Sequence, residues 1–308
     1  MIKGIVTKTT GSFYSVRTES GDTLNCRIRG KIRLENSKST SPAVVGDDVN
    51  VEKDKNSENY FITFIHERRN HIVRKSINLS KQTHVIAANI DQAVLIVTMA
   101  FPQTSLQFID RYLVTCEAYR IPGVLVFNKI DLYNKDEKEL MSEYIEIYSK
   151  AGYKCITVSA IKKTGMDVFR ELITNKISLL SGHSGVGKST LINAVEPRLN
   201  LKTQEISDYH LKGKHTTTFS EMLPLSAGGF IIDTPGIKGF GLVNIERKEL
   251  FHFFPEMFRL TSQCQYYNCT HVHEPGCRIR EAMEAGEISY SRYVNYISML
   301  ESSEEKHR

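Results

Sequence analysis

The chain has no tryptophan in 308 residues, only 8 prolines and 19 glycines, and 6 cysteines. So little Gly and Pro excludes collagen-like and low-complexity proteins. A charged fraction of 24% beside 41% hydrophobic residues is too balanced for a disordered chain. Long apolar runs are also missing. The best candidate, Ala93–Phe101, is broken by Thr98 and has the length of a strand, well short of the ~20 residues that cross a bilayer. The opening MIKGIVTKTTGS lacks the apolar core of an export signal, so the expectation is a cytoplasmic protein with no membrane partner. Six cysteines in that compartment do not suggest a disulfide framework, and three of them crowd late in the sequence.

What is present is unevenly spread. The net charge is +5, and residues 1–75, with 14 Lys and Arg against 9 Asp and Glu, carry all of it. A basic module beside a neutral remainder points to an anionic partner such as nucleic acid, with plain solubilising charge as the alternative. The length fits two or three domains. Residues 1–70 alternate short β-like runs (Ile2–Lys8, Ser12–Arg17, Thr23–Ile32, Asp48–Glu52, Tyr60–His66) with turn signals such as Gly21-Asp22 and Gly46-Asp47. Five short strands without a helical pattern suggest a small OB-type barrel. Arg68–Gln92 reads as a connector.

From Asp91 onward strands and helices alternate, as in a mostly parallel sheet covered by helices on both faces. The strands are Ala93–Met99, Val124–Phe127, Tyr153–Val158, Ile177–Leu180, Glu221–Leu225 and Phe230–Ile232; the helices are Ser105–Arg120, Lys135–Ala151, Met166–Ile173 and Lys188–Val195. After Gly241 come Cys, His and aromatics, then helical patterns around Arg278–Ala285 and Ser289–Leu300. The expected fold is thus multi-domain: an OB-type β-barrel over 1–70, an α/β phosphate-loop domain over 71–243, and a mostly helical metal-binding domain over 244–308.

The segment Gly182, His183, Ser184, Gly185, Val186, Gly187, Lys188, Ser189, Thr190 contains GxxxxGK[ST] between an apolar strand and a helix. Glycines there let backbone N–H groups wrap phosphates at a helix N-terminus. Lys188 would reach the β- and γ-phosphates and Ser189 would ligate Mg²⁺. The base is read from Asn128, Lys129, Ile130 and Asp131 at the end of strand Val124–Phe127. A carboxylate at Asp131 accepts from guanine N1–H and its 2-amino group, whereas adenine presents an acceptor there and would leave the carboxylate unpaired. Ser159 and Ala160 end the next strand, where backbone can meet the guanine O6. Asp233 and Gly236, in DTPG, would serve Mg²⁺ and the γ-phosphate. Thr217, in GKHTTT, is expected to complete the Mg²⁺ shell, with Thr216 close behind and a plain polar loop as the alternative.

The order of these motifs is unusual. NKID comes first, then SA, the phosphate loop, the threonines and DTPG, which is a circular permutation of the common GTPase order. Permutation is tolerated where original termini lie close together. Further on, Cys264, Cys269, His271 and Cys277 follow C-x4-C-x-H-x5-C. Three thiolates and an imidazole suit one tetrahedral structural Zn²⁺; His273 is the alternative fourth ligand and His252 a distant third. Cys26, Cys116 and Cys155 sit in apolar patterns and read as core residues.

GHSGVGKST, GKHTTT, DTPGIKGFG, ANIDQA at Ala88–Ala93 and the cysteine pattern, in this permuted order, together resemble the RsgA family of small-subunit biogenesis GTPases. The resemblance covers nearly the whole chain. It implies an enzyme that hydrolyses GTP to GDP, docks on the maturing small ribosomal subunit, contacts its rRNA and leaves after hydrolysis. The expected protein is a cytoplasmic monomer. The residue after DTPG is Ile237, whose side chain cannot hydrogen-bond an attacking water. Slow intrinsic hydrolysis is expected, with His215, another residue or the ribosome supplying the missing group. A nucleotide-gated RNA-binding scaffold with negligible turnover is the rival reading.

Overall fold

The computed structural model describes residues 1–28, 42–54, 57–75, 83–201, 221–233 and 245–302. In chain order the first elements are β1 (Ile2–Thr10), β2 (Phe13–Thr18), β3 (Thr23–Ile28), β4 (Asp48–Lys53), β5 (Tyr60–Ile65), β6 (His71–Lys75) and β7 (Thr83–Ala88). Next come β8 (Gln92–Val97), α1 (Leu106–Ala118), β9 (Gly123–Phe127), α2 (Lys135–Ala151), β10 (Lys154–Thr157), α3 (Met166–Ile173), β11 (Ile177–Ser181) and α4 (Lys188–Val195). The last are β12 (Met222–Pro224), β13 (Phe230–Asp233), α5 (Pro255–Phe258), α6 (Arg278–Glu284) and α7 (Tyr290–Ser302). By contact the chain divides into two units: Met1–Ala93 with Asp167–Ser181 and Lys188–Gly239, and Val94–Met166 with Gly182–Gly187 and Phe240–Arg308.

In the first unit, β1 to β5 close into a barrel of order β1-β2-β3-β5-β4. Alternation along each strand sends every second side chain inward, and Val6, Val16, Cys26, Val51 and Ile62 form its buried core. The pairs are antiparallel except β3 with β5. This is the OB-type barrel expected, although residues 29–32 of the anticipated third strand lie outside the described residues. The supposed connector is not featureless. Within it, β6 and β7 pair antiparallel, and buried Asp47 holds Arg68 through two bonds of 2.6 and 2.8 Å. Ala88 N–H donates to Val45 O at 2.9 Å, and Asn89 Nδ2 to Gly46 O at 2.9 Å. Gly46, at φ +91°, allows this approach, since a Cβ there would lie 2.1 Å from Ala88 O. These strands owe their form to pairing and docking, which hydrophobic alternation does not record.

The ANIDQA string proves to be a structural bracket in the same unit. Asp91 accepts from Ile177 N–H at 2.8 Å, while Gln92 Nε2 donates to Leu172 O at 2.7 Å and to Ser178 Oγ at 2.9 Å. There β11 pairs in parallel with β13, and β12 runs antiparallel on the outer side of β13.

In the second unit, β8, β9 and β10 lie side by side in the order β10-β9-β8, with β9 and β10 parallel. Ser105 caps α1, and Asn134 with Glu137 forms a capping box on α2, which Gly152 ends in a left-handed conformation. The C-terminal segment is helical as expected, with α5 to α7 and 3-10 turns at Arg247–Phe253 and Thr261–Gln263. Its core gathers Leu250, Phe254, Met257, Ile279, Tyr296 and Met299 around Val114 of α1.

Candidate functional site

The motifs singled out in the sequence follow the carboxyl ends of strands: NKID after β9, Ser159-Ala160 after β10, the phosphate loop after β11, and Asp233 as the last residue of β13. Ligands of α/β folds bind at that end. The register pairs Leu180 with Asp233, so β11 and β13 end side by side. Lys188 and Ser189 open α4, and Thr190 follows in its first turn. His215, Thr216, Thr217, Gly236 and Ile237 lie outside the described residues.

Base loop and phosphate loop are joined directly. Asn128 Nδ2 donates to Val186 O at 2.9 Å. Gly187, at φ +93°, packs so close that a Cβ would lie 2.6 Å from Asn128 Nδ2, so any side chain there would push the two loops apart. Val186 is fully buried and anchors the loop, while Ser184 and Gly185 are exposed. Gly182, Gly185 and Gly187 all have positive φ, the conformations that turn successive N–H groups inward. Asn128 Oδ1 is buried with no hydrogen-bond partner among the described residues.

Asp131 is exposed. Its orientation comes from Ser159, whose buried hydroxyl donates to Asp131 Oδ1 at 2.5 Å. Ser159 Oγ also accepts from Lys162 N–H at 3.0 Å. A carboxylate in this position could discriminate only if a bound base excluded water from it. Ile130 N–H reaches back to Val158 O at 3.4 Å, linking the β9 and β10 loops.

Three contributors were not foreseen. Tyr133 donates its hydroxyl to Asn128 O and accepts from Met99 N–H at 3.0 Å, so one buried side chain ties NKID to the loop after β8. Burial pushes the Tyr133 phenol up to about 12, which keeps it a donor. That same loop supplies Phe101, whose carbonyl accepts from Lys129 Nζ at 2.7 Å. Phe108 of α1 stacks on His183 of the phosphate loop at 4.1 Å between ring centroids. A tyrosine five residues after Asn128 was the only sequence signal for any of them.

The cysteine pattern converges in the C-terminal segment. One ligand atom from each of Cys264, Cys269, His271 and Cys277 lies within 4.8 Å of the others. His271 Nδ1 faces the sulfurs, at 3.7 Å from Cys264 and 3.5 Å from Cys277. His273 is exposed and outside this group. The loop is locked by Tyr293 donating to His271 O at 2.8 Å and Tyr296 to Thr270 O at 2.7 Å. Burial pushes the Cys269 thiol up to about 12 and the His271 imidazole down to about 4. Neutral imidazole is already the ligating form, and a cation would draw the thiols to thiolate. The donor set and spacing fit a structural Zn²⁺. Cys26 and Cys116 are buried and Cys155 half-buried, with burial raising each thiol, as expected of core residues.

Residues 65–243 match the family described as RsgA GTPase, and residues 3–61 that described as RsgA N-terminal domain. The small ribosomal subunit biogenesis GTPase RsgA of Phocaeicola vulgatus is 53% identical over 304 residues, covering 99% of this chain and 98% of that one. The Flavobacterium johnsoniae protein of the same name is 51% identical over 307 residues, covering 99% and 94%. Among solved structures, YjeQ from Thermotoga maritima aligns with a TM-score of 0.80 at 36% identity, covering 98% of each chain. YloQ, a circularly permuted GTPase, aligns with a TM-score of 0.77 at 28% identity, covering 99% of this chain and 96% of that one. A family match across more than half the chain, together with relatives above half identity along nearly its full length, makes this protein a member of the RsgA GTPases and a GTP-hydrolysing enzyme.

Proposed function

We propose that the chain hydrolyses GTP on the maturing small ribosomal subunit, contacts its rRNA, and leaves once GDP has formed. The observation that carries the nucleotide half is the bond between Asn128 Nδ2 and Val186 O, which fixes base reader and phosphate loop relative to each other. Fixed spacing between two recognition elements is what lets binding energy orient the γ-phosphate for attack. The ribosomal half rests on the named relatives and on the basic first quarter of the chain.

In this reading residues 1–70 form the rRNA-binding barrel, 71–243 the GTPase domain, and 244–308 the zinc-binding domain. Asp131 takes the guanine edge, with Ser159 orienting it and the backbone at Ala160 near O6. Lys129 and Ile130 line the base, while residues 182–190 cradle the phosphates, with Lys188 on the β- and γ-oxygens. Ser189, Thr217 and Asp233 would hold Mg²⁺, which neutralises charge on the β- and γ-phosphates. The Gly236 N–H meets the γ-phosphate, and His215 positions water where Ile237 cannot. Cys264, Cys269, His271 and Cys277 would hold Zn²⁺, which supplies cross-linking and no chemistry. The protein works as a cytoplasmic monomer.

Co-sedimentation with purified small subunits, at fixed salt, tests the ribosomal half. Tighter binding is expected with a non-hydrolysable GTP analogue than with GDP, together with faster phosphate release on the subunit. Lys188→Ala should lose that release, because no other described side chain places a cation from the phosphate-loop motif. Equal affinity in both nucleotide states would remove the switch, and no stimulation by the subunit would remove the ribosomal site of action.

A further inference from the structure

Phe101 stands out once the two loops are placed. It is 81% exposed, follows β8, and has φ +51°, a conformation rare for a bulky residue. A single exposed aromatic is ordinary on a protein surface. The backbone that carries this one is fixed from three sides. Its carbonyl is held by Lys129 Nζ at 2.7 Å, and the next residue, Pro102, lies 3.5 Å from the position a Cβ would take on Gly185 of the phosphate loop. Thr98 fixes the turn behind it, with its hydroxyl donating to Pro102 O at 2.5 Å and its carbonyl accepting from Thr104 N–H at 2.8 Å.

A nucleotide read at Asp131 and held by its phosphates at residues 182–190 must pass its sugar between those loops. Residues 101–102 touch both loops, through Lys129 Nζ on Phe101 O and Pro102 beside Gly185. We propose that the Phe101 ring is the wall of the ribose subsite, covering the C–H face of the sugar when guanine nucleotide binds. This rests on the reading of NKID and the phosphate loop as one nucleotide site. Because the ribose is common to GTP and GDP, the ring contributes equally to both and does not act on the γ-phosphate.

The absence of tryptophan makes a direct test available, since Phe101→Trp creates the sole indole of the chain. GDP added to this variant should change its emission, saturating at the same concentration as a calorimetric titration. Phe101→Ala should weaken GDP and the non-hydrolysable GTP analogue alike by about tenfold, the order expected from uncovering part of a phenyl ring. Its unfolding midpoint should stay at the parent value, since the ring is exposed. Phe101→Leu should fall between. Calorimetric binding of GDP with unaltered Trp emission, or parent-like affinity in Phe101→Ala, would overturn the ribose wall and leave the nucleotide site standing. No GDP binding by the parent protein would overturn both.

Discussion

The loops around NKID and the junction of α7 with α1 are held by different means. Around NKID three fixing bonds end on main-chain carbonyls: Asn128 to Val186 O, Tyr133 to Asn128 O, Lys129 to Phe101 O. Those bonds set backbone positions without adding anionic side chains beside a phosphate site. Where α7 meets α1 and α5 the fixing bonds are ionic and buried. Arg292, 1% exposed, donates to both oxygens of Glu256 at 2.7 and 3.0 Å and to Asp110 of α1 at 2.7 Å. Asn295 and Tyr148 complete Asp110 at 2.6 and 2.8 Å. Burial pushes the Asp110 carboxyl up, and the Arg292 charge opposes that rise. The difference teaches where each device belongs. A binding loop needs its polar groups left over for a ligand, whereas a helix junction uses them up.

The comparison breaks most severely at Arg292. Arg292→Met leaves Asp110 and Glu256 buried without their cation, a loss of about 3–5 kcal/mol. The unfolding midpoint should drop sharply. Replacing all three groups together with apolar residues of similar volume should recover much of that loss, because the desolvation cost of the carboxylates disappears as well. If the single and triple variants unfold alike, charge pairing is not what holds α7 to α1.

The next effect is on the neutral side. Asp131→Asn is expected to weaken GTP about a hundredfold, a loss within the range for mispaired groups covered by a ligand. Xanthine nucleotides, with an acceptor at C2, should become preferred while stability stays unchanged. Competition binding measures it, and an unaltered base preference would show that the exposed carboxylate does not read the base.

Within the C-terminal loop, Cys269→Ser should release zinc on metal analysis while GDP affinity is kept, because the base and phosphate loops have their own bonds. Parent zinc content well below one equivalent would deny the metal site.

The smallest expected effect concerns Glu274. Burial alone would raise its carboxyl, but the Thr270 hydroxyl and N–H and the backbone at 273–274 outweigh that and hold it down at about 2. A folded-state value below the ordinary 4.5 contributes stability that is complete above pH 4.5 and fades as pH falls toward 2. Glu274→Gln should therefore unfold earlier than the parent at pH 7, by about 1–2 kcal/mol after solvent screening is allowed for. The gap should close by pH 3. A gap that is constant with pH would assign the effect to shape and not to charge.

Helices whose ends carry chemical punctuation were legible before any coordinates. The α2 helix begins at its Asn134–Glu137 box and ends at Gly152, and α3 and α4 also match the expected bounds. Apart from the third, whose expected end lies outside the described residues, the barrel strands differ from expectation by a residue or two, since alternation marks faces more sharply than ends. The nucleotide and cysteine motifs were legible because each is local: a phosphate loop needs its glycines in consecutive order, and a metal loop its ligands within a few residues. The β6–β7 pair was missed for the opposite reason. Its docking bonds, from Ala88 and the following Asn89, reach back to Val45 and Gly46, and no short window of sequence contains both partners.

By itself, then, the sequence determined which chemistry is possible: the glycine-rich loop, the NKID tetrad, the permuted order and the thiolate–imidazole set. The tertiary structure decided what those groups lean on. It chose His271 over His273 by burying one ring among sulfurs and leaving the other in water. It brought Arg292 onto Asp110, 182 residues away in sequence, and placed Phe101 and Tyr133 against NKID. The physical reason is range. Propensity, capping and loop motifs act between near neighbours along the chain, while desolvation of a buried charge or hydroxyl is settled only by whatever distant side chain arrives to satisfy it.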